Sequence, residues 1–357
     1  MNNSCQVSNL PLRLFSIFLL ALAVTSESLP AEGESQWTNP LVEQRADAAI
    51  YRHTDGYYYF TATVPNWDYL ELRRATTLEG LRTAEAKKIW NKHASGAMGG
   101  FIWAPEIHFI KGKWYIYFGA GTAENKWKIR LYVLENDSPN PLEGTWIEKG
   151  LLDVGLDSFT LDPTTFEAKG QQYLVWAQAD PKIKVNSNIY IARMDTPWSL
   201  SGKPVMLSSP QFPWECVREK VNEGPEILQK NGRIFITYSA SGTGSEYCLG
   251  LLTADANADL LDPKSWVKSP EPVFKSSPEN SQFGPGHNFF TTTPEGADVL
   301  VYHDRSYDVK GNPLKDKGRH IRAQVIHWNA DGTPDFGVPV PDGPYRADLP
   351  PPTAPAH

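Results

Sequence analysis

The sequence predicts an all-β chain folded as a single-domain, five-bladed β-propeller, and three observations carry that prediction. A pattern of about sixty residues recurs five times, with starts at Asp47, Ala104, Asp162, Gly224 and Gly286, separated by 57, 58, 62 and 62 positions. Turn formers are abundant, 27 Gly and 29 Pro in 357 residues, as many short strands require. No stretch keeps a convincing 3.6-residue apolar period. The best helical candidate, 75–88 (ATTLEGLRTAEAKK), reads as a loop or a single turn.

Taken in order, the first element is set aside. Arg13 precedes an 11-residue apolar run, Leu14 to Val24, interrupted only by Ser16, and small residues follow at Ser26, Ser28 and Ala31. That layout is a secretory signal peptide, placed at 1–28. A membrane anchor would need about 20 apolar residues. The chain is therefore expected to be secreted or periplasmic, with no membrane attachment after the signal is removed. The propeller is assigned to 37–345 and a Pro-rich tail to 346–357. Low apolar content from Pro339 onward predicts an extended, mobile end.

Each unit opens with a β-hairpin, at 47–62, 104–120, 162–177, 224–240 and 286–303. β-branched and aromatic runs flank the turn signals TDG, KGK, KGQ, NGR and PEG. In the first four units a third run follows (LELRRAT, IRLYVLE, IYIARMD, CLGLLTA), then a turn with Leu, Gly, Pro or Trp. A short last strand closes the unit, as in KKIWNK and PVML. Four strands at a fixed period describe a propeller blade. A β-helix would repeat at a shorter interval, and a β-sandwich would not keep this spacing over five units.

Composition narrows the chemistry. A formal charge of −7, from 34 basic and 41 acidic side chains, excludes a chain that coats nucleic acid. No CxxC, HExxH, GxGxxG or GxxxxGK[ST] is present, which argues against zinc and nucleotide chemistry and leaves no cofactor required. Beyond Cys5 in the signal, Cys216 and Cys248 fit either one disulfide or two buried thiols. Aromatic residues, 12% of the chain, suit sugar faces as well as core packing.

Radial closure brings the leading residues of the inner strands together around the axis, although they lie about sixty positions apart. They include Asp47, Glu106, Asp162, Glu223 and His287. Acids gathered in this way repel unless each is paired, which marks a candidate active site. The local alternative pairs Asp47 with Arg45. Carboxylates without a nucleophile elbow or metal-ligand spacing suit glycoside hydrolysis. In its inverting form an acid and a base stand about 6.5–9.5 Å apart, and a third carboxylate raises and orients the acid.

Four stretches carry a resemblance: Arg45-Ala46-Asp47, Ser158-Phe159-Thr160-Leu161-Asp162-Pro163, Val221-Asn222-Glu223-Gly224-Pro225 and Gly284-Pro285-Gly286-His287-Asn288. In this order and at blade spacing they resemble the signatures of glycoside hydrolase family 43, five-bladed propellers that act on arabinan and xylan side chains. The resemblance implies that Asp47 is the general base, Glu223 the general acid and Asp162 the carboxylate that tunes and orients the acid. It also implies that His287 sits beside an axial ion, calcium or sodium, or an ordered water. Arg305 resembles the arginine that contacts the acid or the sugar. An ion there would be structural or would tune pKa values.

Within the family, HTDGYYYFTATVP, ELRRA, IWAPEIHFIKGKWYIYF and NEGP resemble exo-acting α-L-arabinofuranosidases. That implies a monomer releasing terminal α-L-arabinofuranosyl residues from arabinan or arabinose-substituted hemicellulose of the plant cell wall. The alternatives are a β-xylosidase or endo-arabinanase on the same scaffold, or a propeller that only binds glycans.

Trp103 is expected in the wall of the sugar pocket, with Phe159, Arg305 and His287 among the substrate-binding residues. Trp67 and Tyr69, in the loop after the second strand, are placed to stack on a sugar or to cap the blade. Glu106 is either a fourth channel carboxylate or a structural acceptor of backbone amides, and the structural role is the one expected. His53, His93 and His108 show no constellation around them.

Overall fold

Each of the five repeated segments folds into an antiparallel hairpin, and each hairpin begins a separate sheet. The structure, a computed structural model, describes Met1 and residues 36–347. The expected signal peptide at 1–28 and all but the start of the 346–357 tail lie outside the described residues.

Blade one runs Ala46–Arg52, Tyr58–Thr63, Tyr69–Ala75 and Lys87–Asn91. Blade two runs Ile102–Ile110, Lys113–Ala120, Arg130–Asn136 and Ile147–Leu151. Blade three runs Thr160–Ala168, Gln171–Gln178, Asn188–Thr196 and Ser199–Ser208. Blade four runs Asn222–Lys230, Arg233–Ala240, Cys248–Asp255 and Val267–Lys268. In each, every strand pairs antiparallel with the next. The tight turns follow from their residues: Lys111-Gly112, Lys169-Gly170 and Asn231-Gly232 take positive φ at both positions, the two-residue turn whose twist matches the flanking strands. The helical candidate contributes only the 3₁₀ turn Glu79–Arg82.

Blade five has three strands, Phe283–Thr292, Asp298–Arg305 and His320–Val325. Its outer edge is covered by the start of the described chain. Ile321 exchanges backbone hydrogen bonds with Val42. Asn39 makes a reciprocal pair with Ala323, both bonds at 2.9 Å, and the Trp37 indole donates to the same carbonyl. Residues 37–42 thus close the ring against the last blade, an arrangement that removes an open sheet edge.

The expected mobility of the chain from Pro339 is corrected for its described part. Gly343–Arg346 pairs with Gln36–Asn39, Tyr345 lies 4.8 Å from Trp37, and Val340 is buried. Proline lowers apolar content without preventing an edge strand, and two aromatic rings provide the contact.

The core is divided among the blade interfaces. Tyr59, Leu70 and Leu72 of blade one meet Ile107, Trp114 and Phe118 of blade two. Tyr117 and Val133 meet Leu174 and Trp176 between blades two and three, and Val175 and Ile191 meet Ile234 and Ile236 between three and four. Phe235 and Leu249 meet Leu300 and Tyr302 between four and five, and Val299 and Val301 meet Ile50 and Phe60 at the closure. Trp114 is fully buried, so Trp114→Ala is expected to cost about 3–5 kcal/mol.

Candidate active site

All five inner strands bulge at the same place. The register slips between Ala46/Ala49, Trp103/Glu106, Leu161/Thr164, Glu223/Glu226 and Gly286/Phe289. Inside each bulge one residue has positive φ: Asp47 (54°), Ala104 (45°), Asp162 (54°), Gly224 (51°) and His287 (43°). Such conformations cost a non-glycine residue on the order of 1 kcal/mol or more, and they re-aim side chains. This register refines the expected ring. Asp47, Asp162 and His287 are equivalent, whereas Glu223 stands one residue before the bulge position of its strand and Glu106 two residues after.

The bulges bring Asp47, Asp162, Glu223 and His287 into the lining of one pocket of about 640 Å³. His287 Nδ1 lies 3.4 Å from Asp47 and 3.9 Å from Asp162, joining blades one, three and five. Asp162 accepts the backbone N–H of Gly224 at 2.9 Å, next to Glu223 in the chain. Arg45 binds Glu71 at 2.8 Å and leaves Asp47 to other partners.

Those partners lay outside the sequence reading. Arg319 Nη1 is 3.4 Å from Asp47, and His303 Nδ1 is 3.3 Å from the same carboxylate while accepting the Asp47 N–H. An imidazole nitrogen that accepts an amide proton carries none of its own, so the His303 proton resides on Nε2. Tyr247 donates its phenol proton to Glu223 at 2.8 Å and stacks on His303, with ring centres 5.8 Å apart.

These contacts separate the carboxyls. Burial alone would raise Asp47, but His287, Arg319 and His303 outweigh it and hold the group well below the usual carboxylate range. Burial lowers both imidazoles, so at neutral pH Arg319 supplies the positive charge. Burial pushes Glu223 up to about 7, opposed by the Tyr247 hydrogen bond, reinforced by the charge of Asp47 and opposed again by Arg319. Asp162 is also raised, by burial and then by Glu223 and Asp47. One carboxyl is therefore fit to take a proton and another to give one.

Trp103 and Phe159 line the pocket as expected, and Trp127 joins them. Trp67 does not: it stands edge-on to Trp103 at 5.5 Å and lines a neighbouring cleft with Arg45 and Asn66. Tyr69 opens the third strand of blade one, with Lys88 over its ring at 4.3 Å. Arg305, expected at the acid or the sugar, is placed behind the wall. Its guanidinium is occupied by Asp316 (2.9 Å) and by the carbonyls of Thr243 (3.0 Å) and Pro313 (2.7 Å), so it ties down the segment that carries Asn312, Pro313 and Leu314 to the pocket.

Further down the channel, the bulge register places Glu106, Thr164 and Glu226 at one level. Among the described residues no backbone amide donates to Glu106; it is hydrogen-bonded to His108 at 2.9 Å and to Glu226, which accepts from Thr164 at 2.9 Å. Burial pushes Glu106 up to about 8 and His108 down to about 3, so this histidine does have a constellation. The signal was present in the spelling, because Ala104-Pro105-Glu106 and Gly224-Pro225-Glu226 occupy the same register.

Among the described residues no three His, Cys, Asp or Glu side chains converge on a point that could hold a metal. The side chains around His287 therefore do not fit an axial ion ligated by side chains alone. Cys216 and Cys248 are separate thiols, and Cys248 is buried beside the Ala240 carbonyl.

The family model described as "Glycosyl hydrolases family 43" matches residues 37–334. The chain belongs to this family. This family 43 glycosidase is 54% identical over 342 residues to the "Extracellular exo-alpha-(1->5)-L-arabinofuranosidase" of Streptomyces avermitilis, covering 94% of this chain and 71% of that one. It is 50% identical over 340 residues to "Alpha-L-arabinofuranosidase 43" of Humicola insolens, covering 94% of this chain and 70% of that one. The crystal structure of an alpha-L-arabinofuranosidase from Lactobacillus brevis superposes with a TM-score of 0.83 at 53% identity, covering 86% of this chain and 98% of that chain. The five-bladed propeller and the glycosidase class read from the sequence both stand.

Proposed function

We propose that this family 43 glycosidase is a secreted, monomeric, exo-acting α-L-arabinofuranosidase that removes terminal α-L-arabinofuranosyl residues from arabinan or arabinose-substituted hemicellulose with inversion. The single observation that carries the chemistry is that two carboxyls lining one pocket have opposite surroundings: Asp47 lies 3.4 Å from both Arg319 and His287, which favour its ionised form, while Glu223 is buried with Tyr247 donating to it at 2.8 Å, and burial raises it. The sugar and the location are supported by relatives at about half identity, two of them named extracellular exo-arabinofuranosidases.

In this reading Asp47 removes a proton from water as its oxygen attacks the anomeric carbon. Glu223 gives its proton to the departing glycosidic oxygen, which takes the electron pair of the broken bond. Asp162 holds the peptide after Glu223 and fixes where that proton is presented. His287 orients Asp47 and Arg319 balances its charge, while Trp103 and Phe159 wall the sugar. Acid, base and water complete the balance, so no redox or nucleotide cofactor takes part.

The test compares p-nitrophenyl α-L-arabinofuranoside with the β-D-xyloside and linear arabinan. Preference for the arabinofuranoside with arabinose as the product is expected; preference for the xyloside would overturn the sugar, and internal cleavage of arabinan the exo action. Proton NMR of the first-formed anomer should show inversion. Glu223→Gln should lower turnover of arabinan about 10²–10⁴-fold without loss of fold.

A further inference from the structure

We propose that Tyr247 is a positioning residue for the acid: it occupies Oε1 of Glu223 and thereby assigns the transferable proton to Oε2, then stabilises the carboxylate as that proton leaves. This rests on the reading of Glu223 as the proton donor.

The geometry carries it. The phenol donates to Glu223 Oε1 at 2.8 Å. A protonated carboxyl oxygen is a poor acceptor, so the oxygen that receives the phenol proton is the unprotonated one. Burial and the surrounding carboxylates push Tyr247 well above the ordinary phenol range, so it remains a donor throughout the working pH. The Glu223 proton therefore resides on Oε2. When the glycosidic bond breaks, this proton passes to the leaving oxygen and Glu223 becomes an anion, and the Tyr247 hydrogen bond becomes charge-assisted.

The ring is held for this task. It lies against His303 and its hydroxyl is hydrogen-bonded to Ser239, which accepts the backbone N–H of His287 at 2.7 Å. A Cβ on Gly286 would come within 2.2 Å of the ring, so glycine in Gly284-Pro285-Gly286-His287 makes room for Tyr247. The ionisable groups facing Glu223 are Tyr247 of its own blade, Asp47, Asp162 and Arg319; those facing the phenol are Glu223, Asp162, Asp47 and the stacked His303.

The hydrogen bond favours the ionised acid, so its loss raises the Glu223 pKa. The active form is protonated, and the alkaline limb of the pH–rate profile must then move to higher pH. Tyr247→Phe, which keeps the ring, is expected to lower kcat on α-1,5-arabinobiose about 10–100-fold and to move that limb up by about one pH unit. On p-nitrophenyl α-L-arabinofuranoside, whose leaving group needs little protonation, the change should stay below about threefold. The ratio between the two substrates is independent of the fraction of folded enzyme.

Equal losses on both substrates with an unmoved limb would overturn the proposal. Glu223→Gln run beside it separates the two readings. If Glu223→Gln discriminates between the leaving groups and Tyr247→Phe does not, only the Tyr247 role fails. If neither discriminates, the assignment of the acid fails and the Tyr247 role with it.

Discussion

Asp162 reaches across from blade three to accept the backbone N–H of Gly224, at 2.9 Å, in the peptide that follows Glu223. The contact fixes the backbone from which the acid projects, and a misplacement of about 1 Å can cost a hundredfold in rate. Asp162→Ala removes the acceptor and is expected to lower kcat by about two orders of magnitude. Asp162→Asn keeps a carbonyl oxygen for that N–H, so it should recover part of the loss. Comparison of the two variants by steady-state kinetics measures the positioning share; equal activities would remove it.

Arg319 stands 3.4 Å from Asp47 and, after His287, does most to hold the base ionised; with both imidazoles lowered by burial it is the cation present at neutral pH. Without it the Asp47 pKa rises, and because the base works only when ionised, activity is lost on the acid side. Arg319→Gln should bring an acidic limb into the kcat/KM profile above pH about 4 and lower the plateau about 10–100-fold. The native profile should stay flat there and fall only above about 7, where Glu223 loses its proton. A variant profile with no acidic limb would assign the ionisation of Asp47 to other groups.

Glu106 and Glu226 face each other in the channel, and burial raises both, Glu106 to about 8. The folded state keeps protons that the unfolded chain releases near 4.5, so this pair makes stability fall as pH rises from about 4.5 towards 8. Glu226→Gln can still accept the Thr164 hydrogen bond and removes one titrating group. Denaturant unfolding should show a gain on the order of 1–3 kcal/mol at pH 8 and little change at pH 4. A gain of the same size at both pH values would rule out titration as its source.

Trp127 lines the pocket yet is 54% exposed, standing edge-on to Phe101 and Trp103 at 5.3 and 5.5 Å. An open aromatic face at the mouth suits the sugar after the scissile bond. Trp127→Ala is expected to lower kcat/KM about 3–10-fold on arabino-oligosaccharides and to leave the p-nitrophenyl arabinofuranoside unchanged. Equal effects on both would place the ring on the departing-sugar side no longer.

What the sequence by itself determined was local and repeated. Strand alternation, Lys-Gly and Asn-Gly turns and a near-constant period specify hairpins and blades, because they depend on residues a few positions apart. The same periodicity made Asp47, Asp162, Glu223 and His287 legible as neighbours, since every inner strand starts at the axis. The bulge register was not legible. It moves Glu106 down the channel to Glu226, although the shared Pro-Glu spelling at 105–106 and 225–226 recorded that equivalence.

Ring closure and the packing between blades decided the rest. Arg319 and His303 reach Asp47 over 272 and 256 residues, and Tyr247 reaches Glu223 from the connection between two strands of blade four. Arg305 carries the right charge in a motif-like segment, but all three nitrogens of its guanidinium are engaged by Asp316 and two carbonyls, so it braces the wall. Charge and spacing nominate a residue for a site; which atoms are left to face the pocket is settled by the partners that the folded chain supplies.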